Sequence, residues 1–446
     1  GTAAHYHAGP ALALSFVVAG IGCVFAALCY AEFASMLPVE GSAYAYAYGT
    51  VGEIFAWLIG WGLILEYAMG AMTVAVSWSG YFAKLLKLFH IEIPFWLRND
   101  PFSAAKFATD NGLEQPGFAM NLPAFIIVWV VTLILVKGIK EAASANNIIV
   151  ILKVSAVLFV IIVGAFYVNQ ANWTPFVPAP EMVTGEDGNP HTAYGWGGII
   201  SGASAIFFAY IGFDAVSTQA GEAINPKKDI PFAIISSLLV CTALYILVSL
   251  VLTGMINYKD IVGDALKAPV AYAFEKVGQT WAVFIITTAA TVGLISVMLV
   301  MMLGQTRIFL GMAKDGLIPQ FFCQIHPTFR TPWKSTLLVG ALVSTVACFT
   351  PIGVLNEMTS FGTLFAFAMV CAAVWLLRRR EPNLERSFRV PALPVVAVLG
   401  IATNLLLIVM LSALSQKLAV AWLLLGVLVY FAYSRKHSKL GNKVFQ

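Results

Sequence analysis

Charge is what this sequence has least of. Asp, Glu, Lys and Arg make up 11% of its 446 residues, whereas a soluble domain carries roughly 25%. That scarcity excludes an ordinary water-soluble domain. Cysteine is also sparse. Cys23, Cys29, Cys241, Cys323, Cys348 and Cys371 lie mostly within or beside apolar runs and show no CxxC spacing, so neither a disulfide framework nor a zinc site is expected. The six histidines are scattered. His5 and His7 form an HxH pair with no third ligand close in sequence, and no metal is expected there. The short alternating segments of a membrane β-barrel are missing. Missing too are the nucleophile–base pair or metal cluster at depth that a membrane-embedded enzyme needs, and the charge rings or carbonyl-lined repeats of a channel.

Long apolar runs fill the space instead. The chain is 60% hydrophobic with a mean hydropathy of +0.84. A helix crosses a bilayer in about 20 residues at 1.5 Å rise. Eleven segments qualify: 11–35, 54–82, 121–137, 147–168, 197–220, 231–255, 280–304, 334–350, 354–377, 392–413 and 418–434. The segment from 280 has the composition to continue helically to about 313. An all-α, polytopic membrane protein follows, read as one domain over 1–446.

The connections carry unequal charge. Seventeen Lys and Arg fall on one side and eight on the other, with "LLRRREPNLERSFR" at 376–389 the richest loop. The rich side is predicted to be cytoplasmic, which puts the C-terminus inside and residue 1 outside, in the plasma membrane. The run "RRREPNLER" reads as topology and anionic-lipid contact, not nucleic-acid binding. Glu32, near the inner end of its span, is expected to make a structural or gating bond. The opening "GTAAHYHAGP" reads as the outer end of a span. Most of a first helix is therefore expected to be missing, with twelve spans in the natural chain.

Three ionisable residues sit inside apolar runs: Lys153 in "NIIVILKVSAVLFVIIVGAF", Glu66 in "WLIGWGLILEYAMGAM" and Asp214 in "AIFFAYIGFDAVSTQ". A charge at bilayer depth costs about 2.5–3.5 kcal/mol on insertion scales, and such residues mark ion, proton or substrate paths. The alternative is that each lies near a helix end and snorkels. Gly212 falls mid-run between aromatics. A helix break there would free backbone groups around a cavity and suit an amino acid zwitterion, with Asp214 holding the break or carrying a proton; the competing reading is a packing glycine. Ser296 matters only if it faces Lys153, since a lone serine often bonds back to its own helix. Met298, Met301 and Met302 read as filler or as an adaptable apolar wall.

Four stretches carry a family resemblance: "CYAEFASMLPVEGSAYAYAY" (29–48), "FFAYIGFDAVSTQAGEAINPKKDIPFAI" (207–234), "TRIFLGMAKDGLIPQFF" (306–322) and "SFRVPALP" (387–394). With them the chain resembles, over nearly its whole length, the amino acid–polyamine–organocation superfamily, and most of all a bacterial homologue of its cationic amino acid transporter branch. The resemblance implies a LeuT-like fold, five helices and an inverted copy of five more, plus two. It also implies a midplane site between broken first and sixth helices, the sixth being 197–222. There Phe208 would gate the site, and the backbone of Phe208, Ala209 and Ile211 would meet the substrate amino group. Glu66, Ser296 and Met298 would surround its side chain. Family members driven by protons and not sodium carry a lysine at the place of Lys153, which would bridge to Ser296. A buried ammonium is disfavoured against the neutral amine, so such a group can release its proton. The first-helix break that holds the substrate carboxylate is absent from this sequence.

The leading expectation is proton-coupled secondary transport of amino acids, small neutral ones such as alanine or cationic ones such as arginine, with no cofactor and no sodium. A proton-independent exchanger is the alternative within transport. A non-transporting amino acid sensor is the alternative outside it. The expected partners are the amino acid and membrane lipid, with no nucleic acid; a small membrane partner or a sterol between spans is left open.

Overall fold

The computed structural model describes residues 1–36, 44, 47–48, 51–138, 142–185, 190–213, 216 and 224–439. The chain is built from helices: α1 Leu12–Met36, α2 Glu53–Leu88, α3 Leu122–Lys137, α4 Ala142–Ala165, α5 Gly195–Ile206, α6 Pro226–Met255, α7 Thr280–Lys314, α8 Trp333–Phe349, α9 Ile352–Arg380, α10 Leu393–Val409 and α11 Ala413–Val429. Among the described residues, seven helices are long and apolar enough to cross a membrane, and α3, α8 and α10 are shorter apolar helices. The fifth expected span, 197–220, is not a continuous helix. From 197 the chain is helical only to Ile206, tightens into a 3-10 turn at Phe207–Tyr210 and leaves helical geometry. The expected extension of the segment from 280 is present, since α7 runs to Lys314.

The packing carries an internal symmetry. The most extensive contacts include α1 on α6, α2 on α7 and α3 on α8, each helix meeting the one five places later. Four further contacts each have a counterpart. α2–α9 is mirrored by α4–α7, α1–α9 by α4–α6, α2–α3 by α7–α8, and α3–α7 by α2–α8. An odd offset of five reverses the direction of crossing, so the two halves are inverted copies about an axis in the membrane plane. α10 and α11 are appended, and both pack on α9.

Burial follows the same plan. α2 and α9 are the most enclosed of the long helices, and α4, α6 and α11 the least. On α4, Ile148, Ile151, Leu152, Val154, Leu158 and Ile162 are exposed, which in a bilayer means facing lipid. Nothing apolar drives helices together within lipid, so close approach through small residues does part of the work. A Cβ at Gly362 of α9 would stand 2.8 Å from the Glu66 backbone nitrogen of α2, and one at Gly340 of α8 would stand 2.3 Å from Thr132 Oγ1 of α3.

Short elements close the end opposite the arginine-rich loop. After α2 come helices Phe95–Arg98 and Pro101–Asp110, the second capped by the Asp100 carboxylate, which accepts from Phe102 N and Ser103 N at 3.1 and 3.0 Å. The cap satisfies two N–H groups the helix cannot bond itself. A hairpin of β1 Glu181–Thr184 and β2 Pro190–Ala193, antiparallel with Met182 opposite Thr192, leads into α5.

Candidate substrate and coupling site

The non-helical stretch after α5 is held by side chains from three directions. The Phe208 N–H donates to Ser360 Oγ of α9 at 3.2 Å. The Ala209 carbonyl accepts from the Tyr245 hydroxyl of α6 at 2.7 Å. The Phe208 carbonyl accepts from Ile211 N–H at 3.0 Å. Tyr210 reaches back to α1, donating to the Phe16 carbonyl at 2.8 Å. Gly212 has φ +117°, backbone that only glycine adopts without strain. Helix interruption at membrane depth needs such substitutes for lost backbone bonds.

The aromatic residues here split in two. Phe207, Tyr210 and Phe213 are buried, while Phe208, Ala209, Ile211 and Gly212 are partly open. The buried set joins Tyr30 and Phe367, with ring centres 4.8 Å apart for Phe213–Phe367, 5.6 Å for Tyr30–Phe367 and 5.8 Å for Phe207–Phe367. Phe208, Ala209 and Ile211, the positions named from the family pattern, are among those left partly open. The carbonyls of Phe208 and Ala209 already accept one bond each. Asp214 lies outside the described residues.

Lys153 and Ser296 are brought together. Lys153 is half-buried on a helix whose neighbouring positions are exposed, and its ammonium donates to Ser296 Oγ of α7 at 2.5 Å. The serine hydroxyl in turn donates to the Gly293 carbonyl at 3.0 Å. Gly293 also makes room for the lysine stem, since a Cβ there would sit 3.2 Å from Lys153 Cγ and Cε. α7 is tied to α2 by Trp78 Nε1, which donates to the Thr291 carbonyl at 3.1 Å. Lys153 therefore joins the lipid-facing α4 to the interior through one polar contact.

Glu66 and Met298 are both fully buried. Glu66 lies on the α2–α9 seam, its backbone against Gly362, near the Thr73–Thr359 hydroxyl contact at 3.3 Å. Ser360 and Gly362 are two residues apart and so point about 200° apart around α9. The Glu66 backbone therefore meets the face of α9 opposite the one that holds Phe208.

A second polar cluster involves two arginines of the run 378–386 that was read as a lipid contact. Glu32 is fully enclosed and accepts from Arg378 Nε at 3.1 Å, from Arg378 Nη2, and from Val390 N–H at 2.8 Å. Arg386 Nε stands 3.3 Å from the same carboxylate, and its side chain is 1% exposed. Two arginines of the loop thus turn inward. Their mutual repulsion needs a counter-charge, and Glu32 is the buried anion within reach. At the same end, burial pushes the Asp315 carboxyl above the usual carboxylate range, opposed by a 2.7 Å bond from the Tyr44 hydroxyl.

Sequence reading missed Ser360 and Tyr245. A serine in "MTSFGTLF" and a tyrosine in "TALYILV" look like ordinary helix residues, and only the fold shows that both face a break about 36 to 155 residues away in sequence.

Inverted repeats, an interrupted helix and a half-buried lysine bridging two helices are the features of a multi-pass transporter. The amino acid permease family matches residues 1–433. The chain is 43% identical over 443 residues to the methylthioribose transporter of Bacillus subtilis, covering 99% of this chain and 90% of that protein. It is 44% identical over 436 residues to the branched-chain amino acid permease BcaP of the same organism, covering 98% and 88%. It is 38% identical over 383 residues to the vacuolar cationic amino acid transporter 4 of Arabidopsis thaliana, covering 86% of this chain and 60% of that one. This chain belongs to the amino acid permease family of the amino acid–polyamine–organocation superfamily.

Proposed function

We propose that this protein is a proton-coupled secondary transporter of neutral apolar amino acids, branched-chain ones first, in the plasma membrane with its arginine-rich end cytoplasmic. The observation that carries the coupling is the Lys153–Ser296 bond at 2.5 Å. A charged ammonium there ties α4 to α7 through a charge-assisted bond, the stronger class of hydrogen bond. A neutral amine ties them less strongly. Proton occupancy of Lys153 thereby biases the balance between two arrangements of the bundle, and any substrate that prefers one of them is coupled to the proton. A resident ammonium does the work of a bound cation, so no sodium is required.

Substrate class rests on the broken segment and its apolar surroundings. The partly open Phe208–Gly212 backbone offers carbonyl lone pairs for an amino group. On the family pattern Met298 would face the substrate side chain, and such a polarizable, adaptable residue fits branched side chains without a charge partner. Two branched-chain permeases stand among the relatives, at 44% and 32% identity. The methylthioribose relative is as similar as these, so identity alone does not choose between them.

A second reading, cationic substrates, is favoured by the buried Glu66 carboxylate and the plant cationic relatives. The test is competition for labelled isoleucine uptake into proteoliposomes by unlabelled isoleucine, alanine, arginine and methylthioribose. Strong competition by isoleucine supports the proposal. Dominant competition by arginine replaces it with the cationic reading, and uptake that needs internal amino acid and ignores a proton gradient replaces it with exchange.

A further inference from the structure

We infer that His7 and His191 form a binding site for a divalent transition-metal cation of the zinc class, one that locks the end of the bundle opposite the arginine-rich loop. The two histidines are 184 residues apart in sequence. His7 lies in the turn before α1, and His191 lies on β2, which leads into α5. The fold stacks their rings with centres 5.4 Å apart, tilted by 35°. Both line one cavity of about 400 Å3. His5, the sequence neighbour that made an HxH motif, lines a different cavity, beside Lys106 and Lys267.

The hydrogen bonds around the pair decide which nitrogens are available. His7 Nδ1 lies 3.1 Å from Ser201 Oγ, and that hydroxyl gives its proton to the Gly198 carbonyl at 3.2 Å. Ser201 therefore accepts, His7 Nδ1 carries the hydrogen, and His7 Nε2 keeps its lone pair. His191 Nε2 lies 2.8 Å from the Tyr6 carbonyl. A carbonyl only accepts, so Nε2 carries the hydrogen and His191 Nδ1 keeps its lone pair. A ligating histidine is usually fixed in this way, its other ring nitrogen donating to a backbone carbonyl or a similar acceptor.

Distances suit the metal. Two nitrogens on one tetrahedral zinc, each about 2.0–2.1 Å away, stand roughly 3.4 Å apart, within reach of rings 5.4 Å centre to centre. Among the described residues no third His, Cys, Asp or Glu joins them, and the two histidines are the ligands proposed. The carboxylate of Glu357 faces the same cavity. It accepts from Ser412 N at 3.1 Å and supplies negative charge to the space without being a ligand.

Binding would pin the hairpin and the start of α5 to the segment before α1. These parts already touch, since a Cβ at Gly198 of α5 would sit 2.4 Å from the His7 carbonyl oxygen. If α5 must move against its neighbours for transport, a metal across this joint stops it. That consequence rests on the transport reading, but the binding itself does not.

The experiment is zinc binding to the purified full-length chain by competition with a fluorescent chelator, followed by uptake into proteoliposomes with zinc outside. One zinc per chain is expected, with His191→Ala and His7→Gln each weakening it at least tenfold and Ser201→Ala weakening it about tenfold, as outer-partner loss does in other sites. His5→Ala should bind like the wild type. A wild-type chain without stoichiometric zinc, or a folded His191→Ala variant that binds as tightly as the parent, overturns the site. Melting curves of each variant separate lost ligation from lost fold. Zinc bound with uptake unaffected overturns the locking and leaves the site. Absent uptake without zinc speaks only against the transport reading.

Discussion

Replacing Glu32 with alanine should cost far more than a single polar contact. The carboxylate is fully enclosed and answers Arg378, Arg386 and the Val390 N–H. At the 3.3 Å separation from Arg386 Nε, the Coulomb attraction is about 5 kcal/mol at an effective dielectric of 20. Most of that gross term offsets the desolvation of the ions, so it is no measure of net stability. Removing one partner is different, because it strands the others. Breaking a buried pair costs about 3–5 kcal/mol, and Arg386, at 1% exposure, has little water to turn to. The assay is thermal unfolding in detergent. At about 2 °C or less per kcal/mol in a chain this large, Glu32→Ala should lower Tm by roughly 5 °C, while removing Glu32 together with Arg386 should lower it less than the two single losses added. A Glu32→Ala variant melting within a degree of the parent, as exposed pairs do, would refute the reasoning and return the arginines to a lipid-contact role.

Other expectations follow from single contacts. Ser360→Ala leaves the Phe208 N–H without its acceptor, a penalty of about 1–3 kcal/mol; uptake kinetics should show a raised KM, with Ser360→Thr retaining most of the affinity. Gly362→Val drives side-chain atoms into the Glu66 backbone and should lower Tm by several °C or abolish folded expression, since over-packing costs about 1–3 kcal/mol or more. Asp315 has a folded-state pKa raised by burial. Its contribution is fully present below the unfolded value near 3.8 and is lost as pH rises through the higher folded value. Asp315→Asn keeps an acceptor for Tyr44 and removes the charge, so it should melt higher than the parent at pH 7 and equal to it near pH 3.5.

Much of the architecture was legible in composition alone. Runs of about 20 apolar residues must bury their backbone bonds in helices, and ten of the eleven predicted spans are helices where the apolar runs put them. The exception, 197–220, is apolar enough to span but is interrupted, and hydropathy does not register where a helix stops. Gly212 marked the stretch, yet the helix ends at Ile206, six residues earlier, because side chains from α9 and α6 offer the backbone other partners. Lys153 was visible for a simple reason: one charge in an apolar run has no cheap explanation. Its partner was not visible from spacing: Ser296 stood out as a lone serine in an apolar run, and only the family resemblance set it opposite Lys153. The Glu32 cluster and the His7–His191 pair were invisible because they join residues 346 and 184 positions apart, distances over which sequence pattern carries no geometry. The contact symmetry likewise needs the folded chain, since inverted copies share packing without sharing obvious sequence.

The central claim is that Lys153 couples substrate movement to protons. The direct measurement is the initial rate of labelled isoleucine uptake into proteoliposomes holding either the parent or Lys153→Ala, with an inward proton gradient imposed and then collapsed, and with exchange against internal isoleucine measured in parallel. The account predicts gradient-stimulated, sodium-independent uptake by the parent, and exchange without gradient stimulation by Lys153→Ala. Equal stimulation of both proteins, or a parent indifferent to the gradient, would contradict it.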